Sequence, residues 1–553
     1  MKENHSHQEV NMMSKKGILL LVSLGYFSLG VPAAELAKAH EKVQIHMFIA
    51  MSQSEKENPN SVAFQLADQY NQTSENIELV LDITTASCSF DAADSLLQRI
   101  ENGTPPDISY LRYRELWKHY LDLTPYLTDS FLNSMDTTML RYFRINNRQV
   151  FLPTGYANRL FYYNKKLFDE AGLAYPPGTY SEPYADGSAW DINKLEEIAG
   201  LLTLDNEGRH AGEPEFDRDH ISQYGFHWGW LNGIGMVQMF GPAQFITENE
   251  KVAVSGHIRQ GYAWIHHAIW ESCFAPNMSV FTDVMDERPI RSEKCAMLLS
   301  YVDNACILRN TSVDWDIAAI PSYNGTHHVP WGIGGYAILD ACQHPAEAID
   351  VIMYIVNIQD LYTVPDIIIP MKKNLRENII NSWSRVYPDK NLQVILDGFD
   401  HRSVICDGEA LQFRMEPWRL VNDYRDYLWQ EPGAQVAGAL DDWLIPAIEN
   451  IIKSTNVDSR NMNIVPEKFQ LFQNFPNPFN PATRITYRLD RSGHIKLKIV
   501  NISGQVVDVL VNEFKPAGEY TVSWEPAGLS GGIYLCGLQA GSQMKTMKLI
   551  YAK

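Results

Sequence analysis

The residues here whose types could carry acid–base or metal chemistry are the adjacent carboxylates Glu196-Glu197 and Asp441-Asp442, the histidine pairs His266-His267 and His327-His328, and the loop Asp205-Asn206-Glu207-Gly208. Their spacing argues against such chemistry. Glycoside hydrolysis needs two carboxyl groups on opposite sides of one bond, and sequence neighbours on a helix or strand point in different directions. The histidine pairs have no H-E-x-x-H frame and no spaced carboxylate, and the loop lacks the full ligand register of a calcium site. Gly528-Leu529-Ser530-Gly531-Gly532 satisfies G-x-S-x-G, but a strand follows where a nucleophile elbow needs a helix. Gly332-Ile333-Gly334-Gly335-Tyr336-Ala337 also runs on into a strand-like stretch instead of opening a helix, and no Walker loop occurs. The cysteines Cys88, Cys273, Cys295, Cys306, Cys342, Cys406 and Cys536 are scattered without a C-x-x-C. Buried free thiols are the default reading, with Cys295 and Cys306 the one pair considered for a bridge. No catalytic residue, metal or cofactor is expected.

The elements around these residues alternate. Val43 to Ala50 is an apolar strand, Ser61 to Asn71 has helical spacing, Ile77 to Ile83 is a strand, and Ala92 to Glu101 is a helix closed by Gly103. This βαβαβ opening predicts a parallel sheet whose ligands sit beyond the strand ends. Leu160 to Gly172 reads as a strand running into a short glycine-closed helix. At the start, Lys15-Lys16, an apolar run from Ile18 to about Leu29, and Val31-Pro32-Ala33-Ala34 have the form of a secretory signal over residues 1–34, with Met12 and Met13 as alternative starts. The run is shorter than the ~20 residues of a spanning helix. A formal net charge of -20 argues against nucleic acid as a partner.

The far end changes period. Asn474-Phe475-Pro476-Asn477-Pro478-Phe479-Asn480-Pro481 is rich in residues that lack a backbone donor, and after it Ile485, Tyr487 and Leu489, then Ile495, Leu497 and Ile499, alternate with polar neighbours. The expectation is a small antiparallel, immunoglobulin-like sandwich. With Asn501-Ile502-Ser503-Gly504, Ala517-Gly518-Glu519-Tyr520, Gly532-Ile533-Tyr534 and a basic last strand, this tail resembles the type A sorting domain of type IX secretion substrates. The resemblance implies partnership with Sec and type IX secretion machinery, and a location at the cell surface or outside the cell after periplasmic transit.

The middle of the chain resembles the extracellular solute-binding proteins of family 1, the receptors of carbohydrate ABC importers. The blocks in order are Thr104-Pro105-Pro106-Asp107, Leu123-Thr124-Pro125-Tyr126-Leu127, the Tyr162-Tyr163-Asn164 strand, Trp190-Asp191, Tyr224-Gly225-Phe226, Cys295-Ala296-Met297, Asp314 to Pro321, and Gly334-Gly335-Tyr336-Ala337-Ile338. The resemblance implies a two-lobed α/β fold of the periplasmic-binding-protein type (type II). Crossing strands are expected near Pro153 to Asn158, Pro330 to Tyr336 and Ile369 to Lys373, with closure by a hinge. The resulting organisation is 1–34 signal, 40–455 solute-binding domain, 456–467 linker and 468–553 sorting domain.

A sugar in such a cleft needs flat aromatic platforms for its C–H face and planar polar groups for its hydroxyl rim. Trp228, Trp230, Trp331, Trp418, Tyr110, Tyr113 and Tyr156 are the candidate platforms, and at least two of the four tryptophans are expected to be exposed to one interlobe cavity. Asn158 and Arg159 lead the polar candidates, followed by Arg112, Arg114 and Asp303. Two departures from the family occur, at Ala157-Asn158 and at Tyr301-Val302-Asp303, both at positions that can face the ligand. Trp264, Trp315 and Trp443 read as packing residues. The leading expectation is a monomeric, non-catalytic receptor that passes a carbohydrate to ABC permease subunits. The alternative is a surface-displayed glycan-binding protein without a permease, and a divergent exported enzyme ranks third.

Overall fold

The computed structural model describes residues 42–552 except 60, 87–88, 142, 146, 230–232, 243–244, 246–250, 281–288, 301–307, 309–311, 358–368, 377–378, 403–414, 457–468, 490–492, 516–517, 527 and 541–542. The expected signal segment, most of the expected linker, Trp230, Tyr301 and Asp303 therefore lie outside the described residues.

The first lobe is built on β1 (Val43–Met51), α1 (Val62–Thr73), β2 (Ile77–Thr85), α2 (Ser89–Glu101) and β3 (Ile108–Ser109). The strand β1 lies between β2 and β3 and runs parallel to both. Leu66, Ala67 and Tyr70 bury one face of α1, so a helix with a polar outer face is anchored by a narrow apolar stripe. Gly103 closes α2 with φ +73, a conformation that most side chains resist. The chain then reaches β4 (Leu152–Asn158) and, across Arg159 alone, β5 (Leu160–Asn164), which belongs to a second sheet.

The second lobe adds α3 (Ile192–Leu201), β6 (Leu204–Asp205), β7 (Ile221–Trp228), α4 (Gly256–Trp270), β8 (Cys295–Ser300) and β9 (Trp315–Ala318). Its sheet has the order β9-β5-β8-β7-β6. The Asp191 carboxylate accepts from the Asn193 and Lys194 amides, each at 3.0 Å, and so starts α3. The glycine of the Tyr-Gly-Phe block has a steric cause: a Cβ on Gly225 would lie 1.9 Å from the Ala199 carbonyl oxygen, so any side chain there would push α3 away from β7.

The return to the first lobe is made by β10 (Trp331–Ile338), and β11 (Ile369–Pro370) completes that sheet in the order β11-β4-β10-β3-β1-β2. The three expected crossing segments are thus adjacent strands. A register shift between Gly334 and Gly335 lets β10 follow β4, and a Cβ on Gly335 would meet the Leu152 carbonyl oxygen at 2.3 Å. Beyond β11, α5 (Gln393–Asp400) and α6 (Met415–Gln430) lead towards the tail.

The tail consists of β12 (Gln470–Leu471), β13 (Thr483–Leu489), β14 (Gly493–Asn501), β15 (Val506–Lys515), β16 (Gly518–Trp524), β17 (Gly532–Ala540) and β18 (Gln543–Tyr551). They form antiparallel sheets β12-β13-β16 and β15-β14-β17-β18, with Ile485, Ile495, Leu497 and Ile499 buried between them. Trp524 of one sheet meets Tyr534 of the other edge-on at 5.6 Å. The proline-rich segment is fastened by its side chains. Asn474 Nδ2 donates to Thr483 Oγ1 at 2.9 Å, Asn477 Oδ1 accepts from the Ile550 amide at 2.9 Å, and Phe479 stacks on Tyr551 at 5.2 Å. Asn477 and Phe479 therefore seal the edge of the terminal strand. Among the described residues no helix is long and apolar enough to cross a membrane.

Candidate functional site

The carboxyl ends of β1, β2 and β3 face the region where the chain crosses between lobes, which is where open α/β sheets bind ligands. Tyr110 follows β3, half-buried and stacked on Phe48 at 6.5 Å and 16°. Burial first, and the neighbouring Tyr113 second, push its hydroxyl up to about 12, so at neutral pH it is a hydrogen-bond donor. Tyr113 lies 5.9 Å from the Trp418 ring, and the Arg112 guanidinium sits over the same ring at 5.8 Å. Trp418 is on α6, so a late helix supplies an aromatic plane to residues that follow β3. Arg114 turns away and lies over Trp117 at 6.0 Å.

At the crossing, Asn158 pairs across from Trp331, and the Arg159 amide donates to the Pro330 carbonyl at 2.8 Å. Asn158 Nδ2 reaches the Ile395 carbonyl at 3.4 Å, while its Oδ1 is buried with no hydrogen-bond partner among the described residues. Tyr156, two residues earlier, faces Phe399 edge-on at 4.8 Å, and the Arg402 guanidinium lies 4.9 Å from its ring.

The expectation of exposed tryptophans is not met among the described residues. Trp228, Trp331 and Trp418 are 1 %, 1 % and 7 % exposed. Trp228 points onto α4, between Phe226 at 4.9 Å and Trp264 at 5.4 Å, because positions 226 and 228 share one face of β7. Trp331 is enclosed at the start of β10, beside β4. The structure therefore groups Tyr110, Arg112, Tyr113 and Trp418 on one side and Asn158, Arg159 and Trp331 at the crossing. Trp228 stands in the second lobe and Tyr156 against α5.

Two further expectations are settled locally. Asp205, the first residue of the calcium-like loop, accepts from the amides of Glu207, Arg209 and Asp217 at 2.9, 3.0 and 3.0 Å and from Arg209 Nε at 2.7 Å. Burial would push its carboxyl up, but these hydrogen bonds hold it well below the usual carboxylate range, and its oxygens are already committed to the protein. Cys295 is a free buried thiol in β8, its Sγ 3.0 Å from the Met297 carbonyl oxygen, as the default reading has it, and Cys306 lies outside the described residues.

One constellation escaped the sequence reading. Ser272 Oγ lies 2.7 Å from His267 Nε2, and His267 Nδ1 lies 2.9 Å from Glu271 Oε2, the serine–histidine–glutamate order of a hydrolase. Glu196 Oε1 also contacts His267 Nε2 at 2.9 Å, so the imidazole is held between two carboxylates. Burial pushes its pKa down, but the hydrogen bonds to Glu271 and Glu196 outweigh that and raise it above 6.5. With both ring nitrogens facing carboxylates, the imidazole ties α3 to α4. Because the folded pKa is raised, this stabilisation is complete below about pH 6.5 and fades as pH rises through the folded value. His267→Gln should accordingly lower the melting temperature at pH 6 more than at pH 9. An equal loss at both would show that the tie does not depend on charge.

Residues 57–210 match the family model of bacterial extracellular solute-binding proteins, and residues 473–552 match that of the secretion system C-terminal sorting domain. The chain is similar in fold to an ABC substrate-binding protein from Listeria monocytogenes in complex with cycloalternan. That likeness has a TM-score of 0.58 at 14% identity, over 75% of this chain and 99% of that one. It is also similar to the maltose/maltodextrin-binding domain from Bdellovibrio bacteriovorus bound to maltotriose, with TM-score 0.55, 14% identity and coverage of 74% and 100%. The Thermus thermophilus maltotriose binding protein bound with maltotriose gives TM-score 0.52, 14% identity and coverage of 74% and 100%. No curated protein matches the sequence. The chain thus has the periplasmic-binding-protein fold, with residues 57–210 similar to the bacterial extracellular solute-binding family and residues 473–552 similar to the secretion-system sorting domain.

Proposed function

We propose that this protein captures a carbohydrate, an oligosaccharide by the likeness of its fold to oligosaccharide-bound proteins, in the cleft between the two lobes, and holds it without altering it. The observation that carries the reading is the convergence of an aromatic plane with planar polar groups. Trp418, Tyr113 and Arg112 meet at the carboxyl end of the first sheet, and Asn158 at the crossing keeps a buried carbonyl oxygen with no partner among the described residues. Buried polar atoms are nearly always satisfied, and a ligand hydroxyl is a fitting partner at such a place. The structures of similar fold include proteins bound to maltotriose, which supports a sugar as the solute class.

Two fates are open to the captured sugar. In the first, the receptor delivers it to ABC permease subunits. The sorting-domain match favours a second, in which a type IX tail carries the receptor fold to the cell surface as a glycan-binding protein with no permease. Genes for two multi-spanning permease subunits beside this one would support the first. Capture itself is tested by thermal shift with maltose, maltotriose and mannobiose. A true ligand at 100 times its dissociation constant should stabilise the fold by about 2.7 kcal/mol, and the sugar should be recovered intact after hours. No shift with any sugar in a broad panel would sink the carbohydrate reading, and released reducing ends would sink the non-catalytic one.

A further inference from the structure

We propose that the ion pair between Asp94 and Arg419 is an interlobe latch, which holds the cleft closed and so scales the affinity for every ligand by one common factor. This inference rests on the two-lobed receptor reading above. By its packing α6 belongs to the second lobe. The Gly233 amide donates to Asn422 Oδ1 at 2.9 Å, Trp270 Nε1 donates to the Leu428 carbonyl at 2.9 Å, and Tyr262 and Tyr424 meet edge-on at 4.9 Å. The first turns of the same helix reach the first lobe. The Met415 amide donates to Glu115 Oε1 at 3.0 Å, and Arg419 Nη2 donates to Asp94 Oδ2 at 3.0 Å while its Nη1 donates to Glu416.

Asp94 stands on α2, just past the carboxyl end of β2, and Glu115 follows β3. These contacts therefore bridge the lobes at the ligand end of the first sheet, where opening must pull them apart. Glu416 fixes the guanidinium from within α6, so the fork is aimed at Asp94 before closure. The pair is partly exposed, with side-chain exposures of 22% for Arg419 and 58% for Asp94, so its effect on the open–closed balance is modest. A latch that favours closure by a given factor raises the apparent affinity of any ligand bound only by the closed form, whatever the ligand's chemistry.

The test compares the full chain with Arg419→Met, Asp94→Asn and the double variant, each checked by melting curve; Asp94→Asn is the arm least able to disturb folding. Small-angle scattering without ligand should give a larger radius of gyration for every variant. Titration calorimetry with maltose and maltotriose should show both sugars weakened by the same factor, about two- to fivefold, with the double variant no worse than either single one. An unchanged radius with unchanged affinities overturns the latch. So does a loss confined to one sugar, which would place Arg419 on the ligand, or a gain in affinity, which would mean that the contact favours the open form. If the unaltered protein binds neither sugar, that counts against the carbohydrate reading alone, and the scattering comparison still decides the latch.

Discussion

Replacing Asp136 by alanine is expected to destabilise the protein by about 3–5 kcal/mol, because it removes the carboxylate that stands between two largely buried guanidinium groups. Asp136 Oδ2 lies 3.5 Å from Arg376 Nη2 and 3.6 Å from Arg402 Nη1, and the three side chains are 12%, 17% and 12% exposed in that order. Phe399 has the Arg402 guanidinium at 3.4 Å and that of Arg376 at 4.3 Å from its ring centre, and Tyr156 lies within reach of both. Such cation–π contacts offset part of the cost of burying the cations, but they do not replace an anion. The cluster matters for function because of where it sits. Tyr156 is on β4, Arg376 follows β11, and Arg402 bridges to Val329 just ahead of β10, so all three crossing strands are pinned at one point. Urea denaturation of Asp136→Ala beside Asp136→Asn would measure it. The asparagine keeps an acceptor and should cost less, and a loss under about 1 kcal/mol for alanine would mean that water or relaxation compensates the two arginines.

That cluster also shows what a sequence hides. The crossings were legible through the resemblance to the solute-binding family, and the steric need at Gly225 and Gly335 explains why glycine stands in those blocks. The sandwich was legible from the residues themselves: a period of two runs through Ile485 to Leu489 and again through Ile495 to Ile499. Asp136, Tyr156, Arg376, Phe399 and Arg402 have no periodic relation to one another. Asp94 and Arg419, 325 residues apart, are brought together only by the second lobe's return to the first. The tryptophans show a different limit. A ring packed among other rings and a ring covered by a guanidinium leave the same trace along the chain, so Trp228, which packs on Trp264, could not be told from Trp418, which meets Arg112. The calcium-like loop is set aside for its incomplete ligand register, and the structure adds a physical reason. Its first carboxylate does collect several donors, but they are backbone amides and an arginine of the same loop.

Deleting residues 465–553 is expected to leave sugar affinity within measurement error and to change where the protein ends up. The apolar interior supports this. One cluster of buried residues runs from Ile45 to Ile452 and a second from Phe469 to Tyr551, so each part has a core of its own. Within the second, Phe479 packs on Trp524 at 5.5 Å, and the Phe479 amide donates to the Ile550 carbonyl at 3.0 Å, so the first and last segments of the tail close on each other, although α6 also touches β14. The polar stretch Lys453 to Asn461 has neither apolar period nor enough hydrophobic surface to couple the two parts. In a host with type IX machinery, the truncated protein should stay in the periplasm and the complete one should reach the surface, as cell fractionation and surface proteolysis would show. Titration of both forms with the same sugar supplies the second measurement. Loss of binding on truncation would make the tail part of the receptor, and a complete chain retained in the periplasm of such a host would leave the tail without its sorting role.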